Sequence, residues 1–298
     1  MTSEPGNKSV VTPRLGFIGL GQMGGPMAAN IAKGGFDLVV FDQAGTAERA
    51  PAGAALAVSV EDAAARAETL FLSLPDGPVS IAVAGRIAGA PERRTTVVVD
   101  LSTIGPGAAR AAAETLSAAG VAYIDAPVSG GRAGAVAGTI TLMWAGSGAE
   151  LARHRAAIAA FCKNPFHVGE TPGQGQALKL INNFLSGTAM AATSEAMLYG
   201  LSQGLDMKTM LDVVNVSTGV NSATRDKFPK RILTGSFDAG FKTALLAKDV
   251  TLYLDNARAA GAPHGLGEAV AALWQACDRA LPDSDFTRVF EYLRETKT

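Results

Sequence analysis

Phe17-Ile18-Gly19-Leu20-Gly21-Gln22-Met23-Gly24-Gly25-Pro26-Met27-Ala28-Ala29-Asn30 closes an apolar run that begins at Leu15 and opens a stretch with helical character. Three of its glycines fall at G-x-G-x-x-G spacing, and each has a separate physical task. Gly19 permits a tight strand-to-helix turn, Gly21 lets backbone approach a pyrophosphate, and Gly24 lets helix and strand pack closely. Bound phosphates would meet the helix N-terminus, where unpaired N–H groups and the peptide dipole favour negative charge. The next apolar run, Leu38-Val39-Val40-Phe41, ends at an acid, Asp42. Strand, turn, helix and following acid together predict a dinucleotide site over Gly19, Leu20, Gly21, Gln22, Met23 and Gly24.

Asp42 bears on which dinucleotide. A carboxylate at this place accepts hydrogen bonds from the adenosine ribose hydroxyls and repels a 2′-phosphate. Gln43-Ala44-Gly45 contains no Arg or Lys to bind that phosphate, and Arg49 reads as a solvated helix residue. NAD is therefore the predicted cofactor, with use of NADP as well the alternative.

Composition excludes several classes. The 298 residues are 48% hydrophobic, enough for one large core or two moderate ones. A net charge of −1 gives no long-range attraction to nucleic acid or to an anionic membrane. Cys162 and Cys277 are the two cysteines, too far apart for a metal or redox pair, and read as buried thiols in a reducing compartment. His154, His167 and His264 are isolated, so no metal site is predicted. The polar opening residues, with no apolar or Arg-rich leader, and the lack of an uncharged apolar run of about 18 residues predict a soluble cytoplasmic protein.

Residues 15–167 alternate short β-rich runs with Ala-rich helical stretches. Strands are predicted at Leu15–Ile18, Asp37–Phe41, Thr69–Leu74, Thr96–Asp100, Ala122–Asp125 and Ile140–Ala145, with helices such as Asp62–Ala67 and Gly107–Ala119 between them. This alternation predicts an α/β, Rossmann-type, doubly wound parallel sheet, preceded by a disordered tail over residues 1–14. From residue 168 to 298 strand signals vanish and an all-helical domain is expected. Thr171-Pro172 reads as N-cap and first-turn proline of a long helix reaching about Gln203. Further helices are predicted at Lys208–Val214, Thr243–Ala260 and Gly265–Arg279.

Within the long helix, Lys179 and Asn183 stand at i and i+4 and share one face. Gly173 and Gly175, each costing about 1 kcal/mol in a helix, suggest close approach to the backbone there. By spacing alone Lys179 is either a solvated lysine or a chemical group.

The chain resembles the β-hydroxyacid dehydrogenases, the family that includes 3-hydroxyisobutyrate, tartronate semialdehyde and glyoxylate/succinic semialdehyde reductases. Four blocks carry the likeness in order: Gly19-Leu20-Gly21-x-Met23-Gly24-x-x-Met27-Ala28-x-Asn30, Asp125-Ala126-Pro127-Val128-Ser129-Gly130-Gly131, Gly173-x-Gly175-x-x-x-Lys179-x-x-x-Asn183, and Lys248-Asp249. The resemblance implies that Leu74, Pro75 and Thr103 line the cofactor and that Lys248 reaches it. It implies that Ser129, Gly130 and Gly131 bind a substrate carboxylate, that Asn183 orients the substrate, and that Lys179 is the general acid/base. The implied reaction moves a hydride between NAD and a small β-hydroxyacid, giving a semialdehyde acid, in a homodimer or homotetramer. Imine reduction on the same scaffold, or a non-catalytic dinucleotide-binding protein, are the alternatives.

Overall fold

The computed structural model describes residues 14–296. The predicted tail lies outside the described residues apart from Arg14, whose carbonyl accepts from Glu68 N–H and whose guanidinium pairs with Asp37 at 3.1 Å. The described residues divide into two compact units: 14–130 with 134–172, and 173–296 with 131–133.

The first unit runs β1 (Leu15–Ile18), α1 (Gly24–Lys33), β2 (Leu38–Phe41), β3 (Ala55–Leu56), α2 (Val60–Arg66), β4 (Thr69–Leu72), α3 (Gly77–Ala88), β5 (Val97–Asp100), α4 (Pro106–Ala118), β6 (Ala122–Asp125), β7 (Val128–Ser129), α5 (Gly131–Ala137), β8 (Ile140–Ala145), α6 (Gly148–Arg153), α7 (Arg155–Phe161) and β9 (Cys162–Gly169). The strands form one sheet in the order β3-β2-β1-β4-β5-β6-β8-β7, with β9 on β8. Both faces are covered, and successive residues of a strand feed opposite cores. Leu15 and Phe17 of β1, Phe71 of β4, and Val97 and Val99 of β5 pack in one cluster. Ile18, Leu70, Leu72 and Val98 pack in the other, which is why these strands read as unbroken apolar runs.

All six predicted strands form at the predicted places or one or two residues shorter. The sheet is not parallel throughout: β6–β8 and β7–β8 are antiparallel. The connection from β7 to β8, residues 130–139, is shorter than the dozen or so residues that a parallel crossover needs. Three strands carry no sequence signal: β3 and β7 are two residues each, and β9 is a largely exposed edge strand containing Pro165. Because the chain leaves β1 toward β2 on one side and returns to β4 on the other, a topological switch point lies at the carboxyl end of β1, beside Gly19.

The second unit comprises α8 (Gln174–Ser202), α9 (Met207–Asn215), a π-helical segment (Ala223–Ile232), α10 (Thr243–Ala259), α11 (Gly265–Ala280), a 3-10 turn (Phe286–Arg288) and α12 (Val289–Glu295). Helix α8 starts later than predicted. Gly173, at φ +99°, is its left-handed cap, so Thr171-Pro172 precede the helix and Gly175 alone of the two glycines lies inside it. The π-helical segment was not foreseen. It holds Pro229, and Asn221 Oδ1 accepts from the N–H groups of Ala223 and Thr224 at its start. Trp274 is wholly buried and donates Nε1–H to the Gly187 carbonyl of α8 at 3.3 Å; Phe184 stacks on Tyr253 at 4.1 Å between ring centres.

His154 is a core residue of the first unit. Its Nε2 is 2.8 Å from Thr69 Oγ1 and its Nδ1 2.8 Å from the Glu150 carbonyl. Burial lowers its pKa below the ordinary 6.5, against the raising effect of Glu150. The unfolded chain therefore takes up this proton at higher pH than the folded one, so His154 contributes stability above pH ~6.5 that is lost as the pH falls below it. Thermal unfolding should show a Tm that drops between about pH 7 and pH 5.5, and the drop should be smaller in His154→Gln. Parallel profiles for the two proteins would remove His154 as the cause.

Candidate active site

Two of the three signature glycines are required by the fold. A Cβ on Gly19, at φ +93°, would stand 2.2 Å from the Ser73 carbonyl oxygen; one on Gly24 would stand 1.9 Å from the Gly19 carbonyl oxygen. Gly21 differs. Its φ is not positive, and no protein atom lies within 4 Å of where a Cβ would be. Nothing in the chain demands glycine there, whereas a ligand approaching the backbone would. The adjacent N-terminus of α1 has no side-chain cap at Met23 and no acid in its first turn. This bare cradle fits a pyrophosphate, with its negative charge against the helix N-terminus.

Asp42 closes the same cradle. It is buried, with Oδ2 accepting from Leu20 N–H at 2.6 Å and Oδ1 from Ala44 N–H at 2.8 Å. Arg49 is exposed, as expected, but it lies in a turn and not in a helix, with Nη1 3.5 Å from Asp42 Oδ1. The backbone of residues 42–50 curls back on itself through Thr46, and a pattern of separate residues gave no sign of this.

Two loops after neighbouring strands are tied together. Leu74 N–H donates to Ser102 Oγ at 2.7 Å, and Ser102 N–H donates to Asp100 Oδ1 at 2.9 Å. Asp100 is wholly buried, and desolvation pushes its pKa up against these bonds. The chain of bonds holds Leu74-Pro75 beside the loop carrying Thr103. Ser129 ends β7, opposite Thr141; Gly130 and Gly131 follow at φ +135° and +63°, a turn that side chains would strain. Asn30, last of the signature residues, donates to the Ala135 carbonyl at 2.8 Å and so fastens α5, which begins at this turn, to α1.

In the helical unit, Lys179, Asn183, Lys248 and Asp249 come together. Lys179 is buried, with Nζ 3.1 Å from Asn183 Oδ1; Asn183 Nδ2 donates to Asp249 Oδ2 at 2.6 Å. Asn182 Nδ2 also donates to Asn183 Oδ1, and Lys248 Nζ is 3.3 Å from Asp249 Oδ1. Asp249 is the residue to which sequence reading assigned no role. Its signal was an acid placed between Leu246 and Val250 on the buried face of α10. By fixing the amide of Asn183, it turns the carbonyl oxygen toward the ammonium of Lys179. Burial lowers the Lys179 pKa to about 8; Asp249 opposes this and Lys248 adds to it. The result is a lysine able to lose and regain a proton near neutrality.

Residues 14–169 match the family described as the NAD binding domain of 6-phosphogluconate dehydrogenase, and residues 173–293 that described as NAD-binding of NADP-dependent 3-hydroxyisobutyrate dehydrogenase. The 2-(hydroxymethyl)glutarate dehydrogenase of Eubacterium barkeri is 36% identical over 84% of this chain and 84% of its own. The mitochondrial 3-hydroxyisobutyrate dehydrogenase of Rattus norvegicus is 34% identical over 95% of this chain and 88% of its own. The structure of Mycobacterium tuberculosis 3-hydroxyisobutyrate dehydrogenase with L-serine superposes with a TM-score of 0.87, at 31% identity, covering 95% of this chain and 100% of that one. The chain belongs to the β-hydroxyacid dehydrogenase family and is an NAD(P)-dependent oxidoreductase.

The Lys179 network makes a prediction independent of turnover. Acylation of Lys179, followed by mass spectrometry across pH, should have its midpoint near 8. Asp249→Asn removes the charge that raises this pKa, so the midpoint should move to lower pH. An unchanged or higher midpoint would show that Asp249 does not act on Lys179.

Proposed function

We propose, with membership of the β-hydroxyacid dehydrogenase family as the premise, that this chain interconverts a small β-hydroxyacid of the 3-hydroxyisobutyrate type and its semialdehyde acid. The observation that carries the reading is Lys179, buried against Asn183 with its pKa lowered to about 8. In the oxidative direction neutral Lys179 Nζ takes the hydroxyl proton as the carbon–hydrogen bond breaks. In reduction the ammonium returns that proton to the forming alkoxide and stabilises its charge meanwhile. NAD(P), when bound, accepts or supplies the hydride. Ser129 binds the substrate carboxylate through its hydroxyl, and Gly130 and Gly131 through backbone N–H. Asn183 orients the substrate while holding Lys179.

Gly19, Leu20, Gly21, Gln22, Met23 and Gly24 hold the pyrophosphate, Leu74, Pro75 and Thr103 line the cofactor, and Lys248 contacts it. Asp42 reads the adenosine ribose and favours NAD. A homodimer or homotetramer is supported by Leu178, Ile181 and Leu185, exposed at helical spacing along α8. The buried free thiols of Cys162 and Cys277 suit the reducing cytoplasm.

The test is NAD reduction with a panel of 3-hydroxy acids, including 3-hydroxyisobutyrate, serine and glycerate. Oxidation of the best substrate should rise with pH to a plateau above about 8, as Lys179 loses its proton. Lys179→Ala should lower kcat by about 10²–10⁴-fold while NAD affinity changes little. Turnover near that of the unmodified enzyme would take Lys179 out of the mechanism, and reduction of imines rather than semialdehyde acids would move the chain to the alternative chemistry.

A further inference from the structure

We propose that Arg49 sets the balance between NAD and NADP: it offsets the charge of Asp42 and offers its guanidinium to a 2′-phosphate, so that the chain accepts both dinucleotides. The inference rests on the dinucleotide reading of the glycine turn and not on the identity of the substrate.

Asp42 follows the carboxyl end of β2, where an adenosine ribose is read in sheets of this type. Each of its carboxylate oxygens accepts a backbone N–H, from Leu20 and from Ala44, so the group is pinned to the glycine-rich turn. It cannot swing aside to admit a phosphate. A 2′-phosphate is tolerated there only if a cation stands beside the carboxylate.

The fold supplies one. Asp42 N–H donates to Thr46 Oγ1 at 3.0 Å, and Thr46 Oγ1 and Gly45 N–H both return to the Asp42 carbonyl at 3.2 Å. Arg49 and Ala50 then donate their N–H groups to the Thr46 carbonyl. These bonds bring Arg49 back over Asp42, although Gln43-Ala44-Gly45, the residues directly after the acid, carry no positive charge. The guanidinium of Arg49 is 3.5 Å from Asp42 Oδ1 and 41% exposed. That separation offsets charge but is too long for a tight bidentate pair, and a guanidinium has five N–H donors to give. Glu48, the other acid of the turn, lies against Gly45, and its ion pairing with Arg49 is not seen among the described residues. Guanidinium groups bind phosphate bidentately, so Arg49 retains donors for a 2′-phosphate presented beside Asp42.

The test uses the purified full chain and two probes of the adenosine end, adenosine 2′,5′-bisphosphate and 5′-ADP, with Kd measured by calorimetry. The unmodified protein should bind both, with Kd values within about tenfold of one another. Arg49→Ala should weaken the bisphosphate by about tenfold or more, the effect of losing a charged hydrogen bond, and change 5′-ADP less than about twofold. Asp42→Asn should tighten the bisphosphate, and by a larger factor in the Arg49→Ala background, where no cation offsets the carboxylate. The same pattern should appear in NADP against NAD. Equal weakening of both probes, or none, in Arg49→Ala overturns the proposal. So does an unmodified protein that binds 5′-ADP but not the bisphosphate. Failure to bind either probe would overturn the dinucleotide reading itself, and this proposal with it.

Discussion

No side chain fits between Gly24 and the carbonyl oxygen of Gly19, where a Cβ would come within 1.9 Å. That contact brings α1 down onto the end of β1, and the first unit is organised around it. The neighbouring strands complete the seat: Gly19 N–H donates to the Phe41 carbonyl and Ser73 N–H to the Ile18 carbonyl. Asp42 then clasps Leu20, so the turn that would carry a pyrophosphate is fixed from both sides before any ligand arrives. Preorganisation of this kind spares a ligand the entropy of ordering the loop.

The helical unit solves a different problem, that of keeping an ammonium out of water. Taking a charge into a packed interior is costly unless partners are supplied, and a lysine placed there lowers its pKa instead. Here the two responses are balanced. Asn183 and Asp249 supply a hydrogen bond and a nearby negative charge, while burial and Lys248 push the other way. The balance leaves Lys179 near the middle of the range useful for proton transfer, and Asp249 acts on it both by its charge and by orienting the Asn183 amide.

The first unit shows how far one-dimensional patterns reach. Strands β1, β2, β4, β5, β6 and β8 were readable because both their faces are buried, giving apolar runs bounded by turn residues. Strand β9, with Lys163, Asn164 and Pro165 exposed on an edge, has no such run and was invisible. The antiparallel pairing of β8 depends on the length of its connection, not on its own residues. In the second unit α9, α10 and α11 followed from helical periodicity, but the π-helical segment around Pro229 breaks that period and so escaped it.

By itself the sequence determined the elements whose causes are local: the glycine turn, the apolar strands, the amphipathic helices, and the i,i+4 pairing of Lys179 with Asn183. It also carried the family likeness that named the chemistry. Tertiary structure alone decided the partners brought from a distance. Asp249 lies on a different helix from Asn183, and Arg49 returns to Asp42 through a turn built on Thr46. The reason is physical: a pKa or a charge balance depends on burial and on distances of a few ångströms, and neither is set until the chain has folded.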